Sequence, residues 1–227
     1  MTFFYFFIII SFGVSRRINI FYLIGREYNN SYKASNVFLF MAVQVRENTI
    51  DEIEEKLGEM NTDLNKIGYL ESALKATSFS FEIKRFLWGT LAELYGDRKM
   101  FDRAAKAMAN KASMEIISKD KTDSYITAAE LYSRIGKVDD ADEMFVRAAR
   151  DVSTEQRTRV KLARKNIFAA LAKELEAKGK KASAVKFYEK LIKMNLEEVE
   201  KAVIKDRLIS TYKALGMFRE AKLLEGI

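Results

Sequence analysis

The stretch 125–151, YITAAELYSRIGKVDDADEMFVRAARD, constrains the fold more than any other part of the chain. Tyr125, Ala128, Ala129 and Tyr132 fall at i, i+3, i+4 and i+7, one face of a helix. Gly136 stands where a helix can end in the left-handed conformation. Asp139 and Asp140 then open a second helix, whose positive N-terminal end favours acidic side chains. Ala141, Phe145 and Ala148 give that helix its inner face. Alanines at 128, 129 and 141 let the two backbones approach closely, and Tyr132 and Phe145 fill the space beside them. A pair of this kind leaves one face apolar and must stack on neighbours to bury it.

The pattern returns elsewhere. Aligned on the glycine, a second copy is Phe168, Leu171, Ala172, Leu175, Gly179, Ala184, Tyr188 and Leu191. A third is Leu208, Ile209, Tyr212, Gly216, Phe218 and Ala221. A fourth lies upstream as Trp88, Leu91, Ala92, Tyr95, Phe101, Ala104 and Met108, with Lys99 at the glycine position and Gly96 nearby. The spacing aromatic-x2-A/L-A-x2-Y-x3-G-x4-A-x3-F-x2-A resembles the tetratricopeptide repeat. The resemblance covers residues 79–227. It implies an all-α fold, a right-handed superhelical array of about four antiparallel helix pairs (a TPR-like α-solenoid), with the first helix of each pair lining a concave groove. The matching groove positions are Glu93, Glu130, Arg134, Lys173, Asp206 and Lys213.

Two features depart from the family pattern. Successive copies are offset by 37, 43 and 37 residues, against about 34 in the usual repeat. The proline that commonly closes the repeat is absent, because the chain contains no proline. Longer helices and an irregular array are therefore expected, as in divergent members similar to the soluble attachment proteins of membrane fusion. At the positions where some family members clamp a C-terminal carboxylate with Lys and Asn, this chain has Gly89, Glu93, Ile126 and Glu130. That clamp is not expected here.

Upstream of the repeats, residues 41–78 read as an amphipathic helical segment, with one helix over 49–77. Thr49 and Glu52 offer a capping box. Ile50, Ile53, Leu57, Met60, Leu64 and Ile67 are spaced 3, 4, 3, 4 and 3, a short heptad seam. One reading is a coiled coil that makes a homo-oligomer. The other is a stripe packed on the first repeat, which Gly58 and Gly68 favour, since each weakens an autonomous helix by about 1 kcal/mol. The next helix, Ser80 to Tyr95, is apolar nearly all round, which predicts burial on most sides and a core place for Trp88. Further helices are expected at 101–118, 122–135, 138–150, 154–178, 181–194, 196–215 and 218–225, with Ser153 and Gln156 capping the long one. No stretch alternates long enough to predict a sheet.

Residues 1–40 are a different material. They hold 12 of the 27 aromatic residues and a single acid, Glu27. The apolar run from Phe3 is interrupted by Arg16 and Arg17, whereas a membrane span needs about 20 continuous apolar residues. Its charge follows the apolar run, where a signal peptide carries it first. Three readings stand: a short membrane anchor, a tail, or a non-native start with Met41 as the true one. The abrupt change of composition at Met41 favours the last.

With no histidine and no cysteine, zinc, haem and the His-based catalytic arrangements lack their ligands and bases. No phosphate-binding loop, dinucleotide fingerprint or metalloprotease motif occurs. The chain is expected not to be an enzyme, to need no cofactor and to reside in the cytoplasm, or at a membrane if residues 1–40 anchor it. Carboxylate chemistry by Glu93 and Glu130 is the remaining enzymatic option.

Charge distribution then points to partners. Residues 41–156 carry net −5, whereas 157–193 carry twelve bases and three acids, net +9. Arg157, Lys161, Arg164 and Lys165 lie at i, i+4, i+7 and i+8, on one helix face, and Arg159 points away. The 43-residue offset falls in their helix, so its first turns are expected to project with little beside them to pair with. The resulting expectation is a protein-interaction scaffold that binds a partner segment in the groove, on the basic third helix pair, or both. An acidic segment of another protein suits that charge. The alternatives are binding of nucleic acid or an anionic membrane through the same bases, and a solvated face touching Asp151 and Glu155.

Overall fold

A computed structural model describes residues 45–75 and 79–226. The readings made for residues 1–40, both the anchor and the start at Met41, lie outside the described residues. Among those described, the chain is all-α. The helices are α1 Ile50–Gly58, α2 Asp63–Ala73, α3 Phe81–Asp97, α4 Phe101–Met114 and α5 Ser118–Arg134. They continue as α6 Val138–Ala148, α7 Thr154–Ala177, α8 Lys181–Ile192, α9 Glu198–Ala214 and α10 Phe218–Glu225. From α3 onward the links are only three or five residues long, so each helix turns back and packs on the one before it. One exception to purely sequential packing is α5, which also packs on α7. No helix among the described residues is long and apolar enough to cross a membrane.

The turns inside the four pairs α3–α4, α5–α6, α7–α8 and α9–α10 are built alike. Gly136, Gly179 and Gly216 have φ of 77°, 72° and 75°, and Lys99 takes the same left-handed conformation at φ 58°. One residue later, the backbone N–H donates back to the last turn. Met100 donates to the Tyr95 carbonyl at 2.8 Å, Lys137 to Tyr132 at 3.0 Å, Lys180 to Leu175 at 2.8 Å and Met217 to Tyr212 at 2.9 Å. This six-to-one bond is the Schellman closure of a helix C-terminus. The sequence alignment on the glycines thus coincides with a repeated local geometry, including the position where lysine replaces glycine.

Two hydrophobic clusters fill the interior. One gathers α1 to α4 around Ile53, Leu70, Leu87 and Leu91. The other gathers α4 to α10 around Phe145, Phe168, Phe187 and Tyr188. Helix α4 serves both, giving Ala104 and Ala107 to the first and Ala105 and Ala112 to the second. Phe168 is edge-on to Phe145 and to Phe187, each with ring centroids 5.5 Å apart, an arrangement aromatic rings prefer.

Two expectations are corrected and a third is refined. The single helix over 49–77 is two helices, broken at residues 59–62. Thr49 and Glu52 do form the capping box, but Thr62 then accepts the Asn65 N–H and starts α2 afresh. The break puts the heptad out of line: Ile53, Leu57 and Ile67 are buried, while Leu64 is 62% exposed. Helix α3 is covered on most sides as expected, but much of that cover is partial. Leu87, Leu91, Ala92 and Tyr95 are buried, Ile83, Phe86, Trp88 and Leu94 are half-buried against the same cluster, and Phe81 is largely exposed. Finally α4 ends at Met114 and α5 begins at Ser118, earlier than Thr122. Extended backbone at Glu115 ends α4 there, and the Glu115 carboxylate lies 3.6 Å from Arg85 of α3.

Candidate functional site

The basic segment is carried by α7, the 24-residue helix. Ser153 and Gln156 cap it reciprocally, and the Gln156 Oε1 also accepts the Ser118 hydroxyl at 3.1 Å. The buried face runs through Val160, Phe168 and Ala172, with Ala163, Ile167, Leu171 and Leu175 partly buried beside them. Arg164 lies between Val160 and Phe168 on that same stripe, and Arg157, Lys161 and Lys165 lie on the same side of the helix, around its N-terminal half. The first turns of α7 do not project: Gln156 reaches the start of α5, and Arg159 pairs with Asp123 of α5 at 2.7 Å.

The four cations expected to share one role divide into two pairs. Arg164 is held in the fold, its guanidinium against Asp142 of α6 and over the Phe168 ring at 5.9 Å. Asp142 also receives Lys190 of α8 at 3.2 Å, and Lys190 lies 2.8 Å from Asp139. The bond to Lys190 holds the Asp139 carboxyl below its ordinary range, and the same bond raises Lys190. Lys165 is paired as well, with Glu200 of α9 at 2.7 Å. The expectation that this face has little to pair with is therefore wrong for Arg164 and Lys165. It holds for Arg157 and Lys161, which are exposed and whose side chains have no hydrogen bond or ion pair with any described residue.

A surface cleft of about 400 Å³ lies between α7 and the start of α9. Lys161, Leu162 and Lys165 form one wall. Lys193, Met194 and Leu196, in the link between α8 and α9, form another, and Glu200 faces Lys165 across it. Lys193, like Lys161, is exposed and has no ion pair among the described residues. Leu162 is 51% exposed. Cations free to pair and apolar surface free to be covered thus meet in one concavity, which suits an anionic group attached to an apolar one.

The positions matched to the groove do not form a comparable centre. Glu130 and Arg134 pair with each other at 2.7 Å along α5. Lys213 pairs with Glu225 of α10 at 2.6 Å. Glu93, Lys173 and Asp206 are exposed and without ion pairs to described residues. Glu130 is paired with Arg134, and no group of acids among the described residues is arranged to hold a metal ion. Sequence reasoning missed Asp142 and Lys190, which fix Arg164 from two other helices, and the apolar residues Leu162, Met194 and Leu196. The net charge of 157–193 already contained Lys193 as its last base. Its meeting with Lys161 has no local signal, because the two are 32 residues apart.

No protein-family model matches the chain, and no curated protein matches it.

Proposed function

We propose that this protein is a non-enzymatic interaction scaffold, a TPR-like array of stacked helix pairs that binds a segment of another protein through its basic third pair. The observation that carries this reading is the group of unpaired cations, Arg157 and Lys161 of α7 and Lys193 of the link after α8, near exposed apolar surface, while Arg159, Arg164 and Lys165 of α7 are already paired. Charges left unpaired inside a fold rich in ion pairs are available to a partner, where complementary charge speeds encounter and sets specificity. The identical turn geometry of the four pairs, at the positions the repeat pattern singles out, supports the array. Stacked helix pairs offer extended surfaces on which a helix or extended peptide can lie.

Affinity capture with the full chain at low salt tests this, with the bound material analysed for protein and nucleic acid after parallel nuclease treatment. The reading predicts protein partners that survive nuclease and are lost at high salt. Recovery of nucleic acid alone, with a steep salt dependence, would transfer the basic pair to phosphate binding. Recovery of neither would remove the scaffold reading.

A further inference from the structure

We propose that the cleft between α7 and the start of α9 holds an acidic peptide segment of the partner, with one large aliphatic side chain seated on Leu162, Met194 and Leu196. The inference rests on the scaffold reading and names the chemistry of what the scaffold holds. Lys161 and Lys193 stand on different walls, and neither makes an ion pair with a described residue, although the Lys193 charge reaches Asp139. They set two anionic contacts flanking an apolar floor. A peptide supplies both kinds of group within a few residues, and the cleft's volume of about 400 Å³ suits a short stretch of side chains, not a helix bundle.

Two observations weigh against nucleic acid in this cleft. No aromatic side chain lines it, whereas single-stranded nucleic acid is held largely by base stacking on aromatic residues. Glu197 and Glu200 also line it, and they oppose the continuous charge of a phosphate backbone more than two carboxylates spaced to meet Lys161 and Lys193. Glu200 has a second consequence. Its bond to Lys165 at 2.7 Å closes one side of the cleft, so a ligand carboxylate gains Lys165 only by displacing Glu200. Two carboxylates, placed for Lys161 and Lys193, therefore define the motif better than a long acidic run.

Selection from a random displayed peptide library on the full chain, followed by fluorescence anisotropy with the selected peptides, tests the proposal. The expected motif is one aliphatic residue flanked by Asp or Glu. Lys161→Glu with Lys193→Glu should raise the dissociation constant at least about tenfold, and Leu162→Ala should weaken binding about tenfold through lost apolar contact. Lys173→Glu, on the same helix and outside the cleft, should leave affinity unchanged. Peptides without acids, or peptides whose affinity survives the cleft variants, would retire the cleft and leave the scaffold reading standing. A library that yields no binder overturns both. Homopolymer RNA that binds through Lys161 and Lys193 when no peptide does would overturn the proposal and assign the cleft to nucleic acid.

Discussion

Lys99 adopts the left-handed backbone conformation that Gly136 adopts one helix pair later, φ 58° against 77°. Each residue closes a helix with the same six-to-one hydrogen bond, at 2.8 Å and 3.0 Å. The four turns share one geometry although only three have the residue best suited to it. A side chain with a Cβ is strained there by about 1–2 kcal/mol, and glycine is not.

Lys99→Gly is therefore expected to raise stability by about 0.5–1 kcal/mol, after allowing for glycine's greater freedom in the unfolded chain. Gly136→Ala is expected to lower it by about 1 kcal/mol. Nothing lies within 4 Å of a Cβ built at Gly136, so the loss would come from backbone conformation and not from a clash. Urea denaturation of the two variants measures both. A stabilised Gly136→Ala would contradict the account of the turn.

The two halves of the cationic face should separate by stability. Arg164 and Asp142 have side chains only 25% and 19% exposed, and Arg164 also covers Phe168. Arg164→Ala is expected to cost about 2 kcal/mol, below the about 3–5 kcal/mol found when a fully buried pair is broken. Lys161→Ala, at an exposed and unpaired position, should stay within about 0.5 kcal/mol. Equal effects in denaturant unfolding would show that the division of these cations is wrong. Charge reversal at Arg164 would set a carboxylate against Asp142, so binding tests belong at Lys161 and Lys193.

Leu64→Glu tests whether residues 49–77 form a dimer seam. Leu64 is mostly exposed and Ile53 fully buried. Leu64→Glu should leave both stability and sedimentation behaviour unchanged, while Ile53→Ala should cost about 2–5 kcal/mol through the cavity it leaves. Loss of a dimer in Leu64→Glu would restore the coiled coil.

Alkaline stability follows from the tyrosines that tie helices together. Burial pushes the Tyr95 hydroxyl up to about 12, helped by its bond to Glu71 of α2 and opposed by nearby Arg103. Burial does the same at Tyr188, also to about 12, with its bond to Glu176 of α7 at 2.8 Å helping and Arg207 opposing. In the unfolded chain both ionise near the ordinary value of 10.0. The folded form keeps its proton longer, so this stabilisation is complete below pH 10 and is lost as pH rises toward 12. Denaturant midpoints should fall across that window, and Tyr95→Phe should make the fall shallower. A flat profile would contradict the shift.

Much of the fold was legible because its determinants are local. The aligned glycines, the i, i+3, i+4 apolar faces and the Thr49 and Ser153 caps each act within a turn or two, and they place most of the helices to within a few residues. The break before α2 was not legible, since the heptad spacing ran across it and only the cap at Thr62 marked it. Arg164 was misread for a different reason. Sequence spacing puts it on a face with Arg157 and Lys161, but the Asp142 that neutralises it lies 22 residues away on another helix. The cleft depends on the link between α8 and α9 folding against α7, and no periodicity encodes that approach.

The most direct test of the interaction account is the association rate of the captured partner with the full chain, measured at rising ionic strength. The wild-type chain is compared with Lys161→Glu/Lys193→Glu. The account predicts a rate that falls steeply with salt for the wild type, as expected for association steered by charge. For the variant it predicts a slow rate that hardly responds to salt. Equal rates with equal salt dependence in the two chains would contradict the claim that the basic helix pair is where the partner binds.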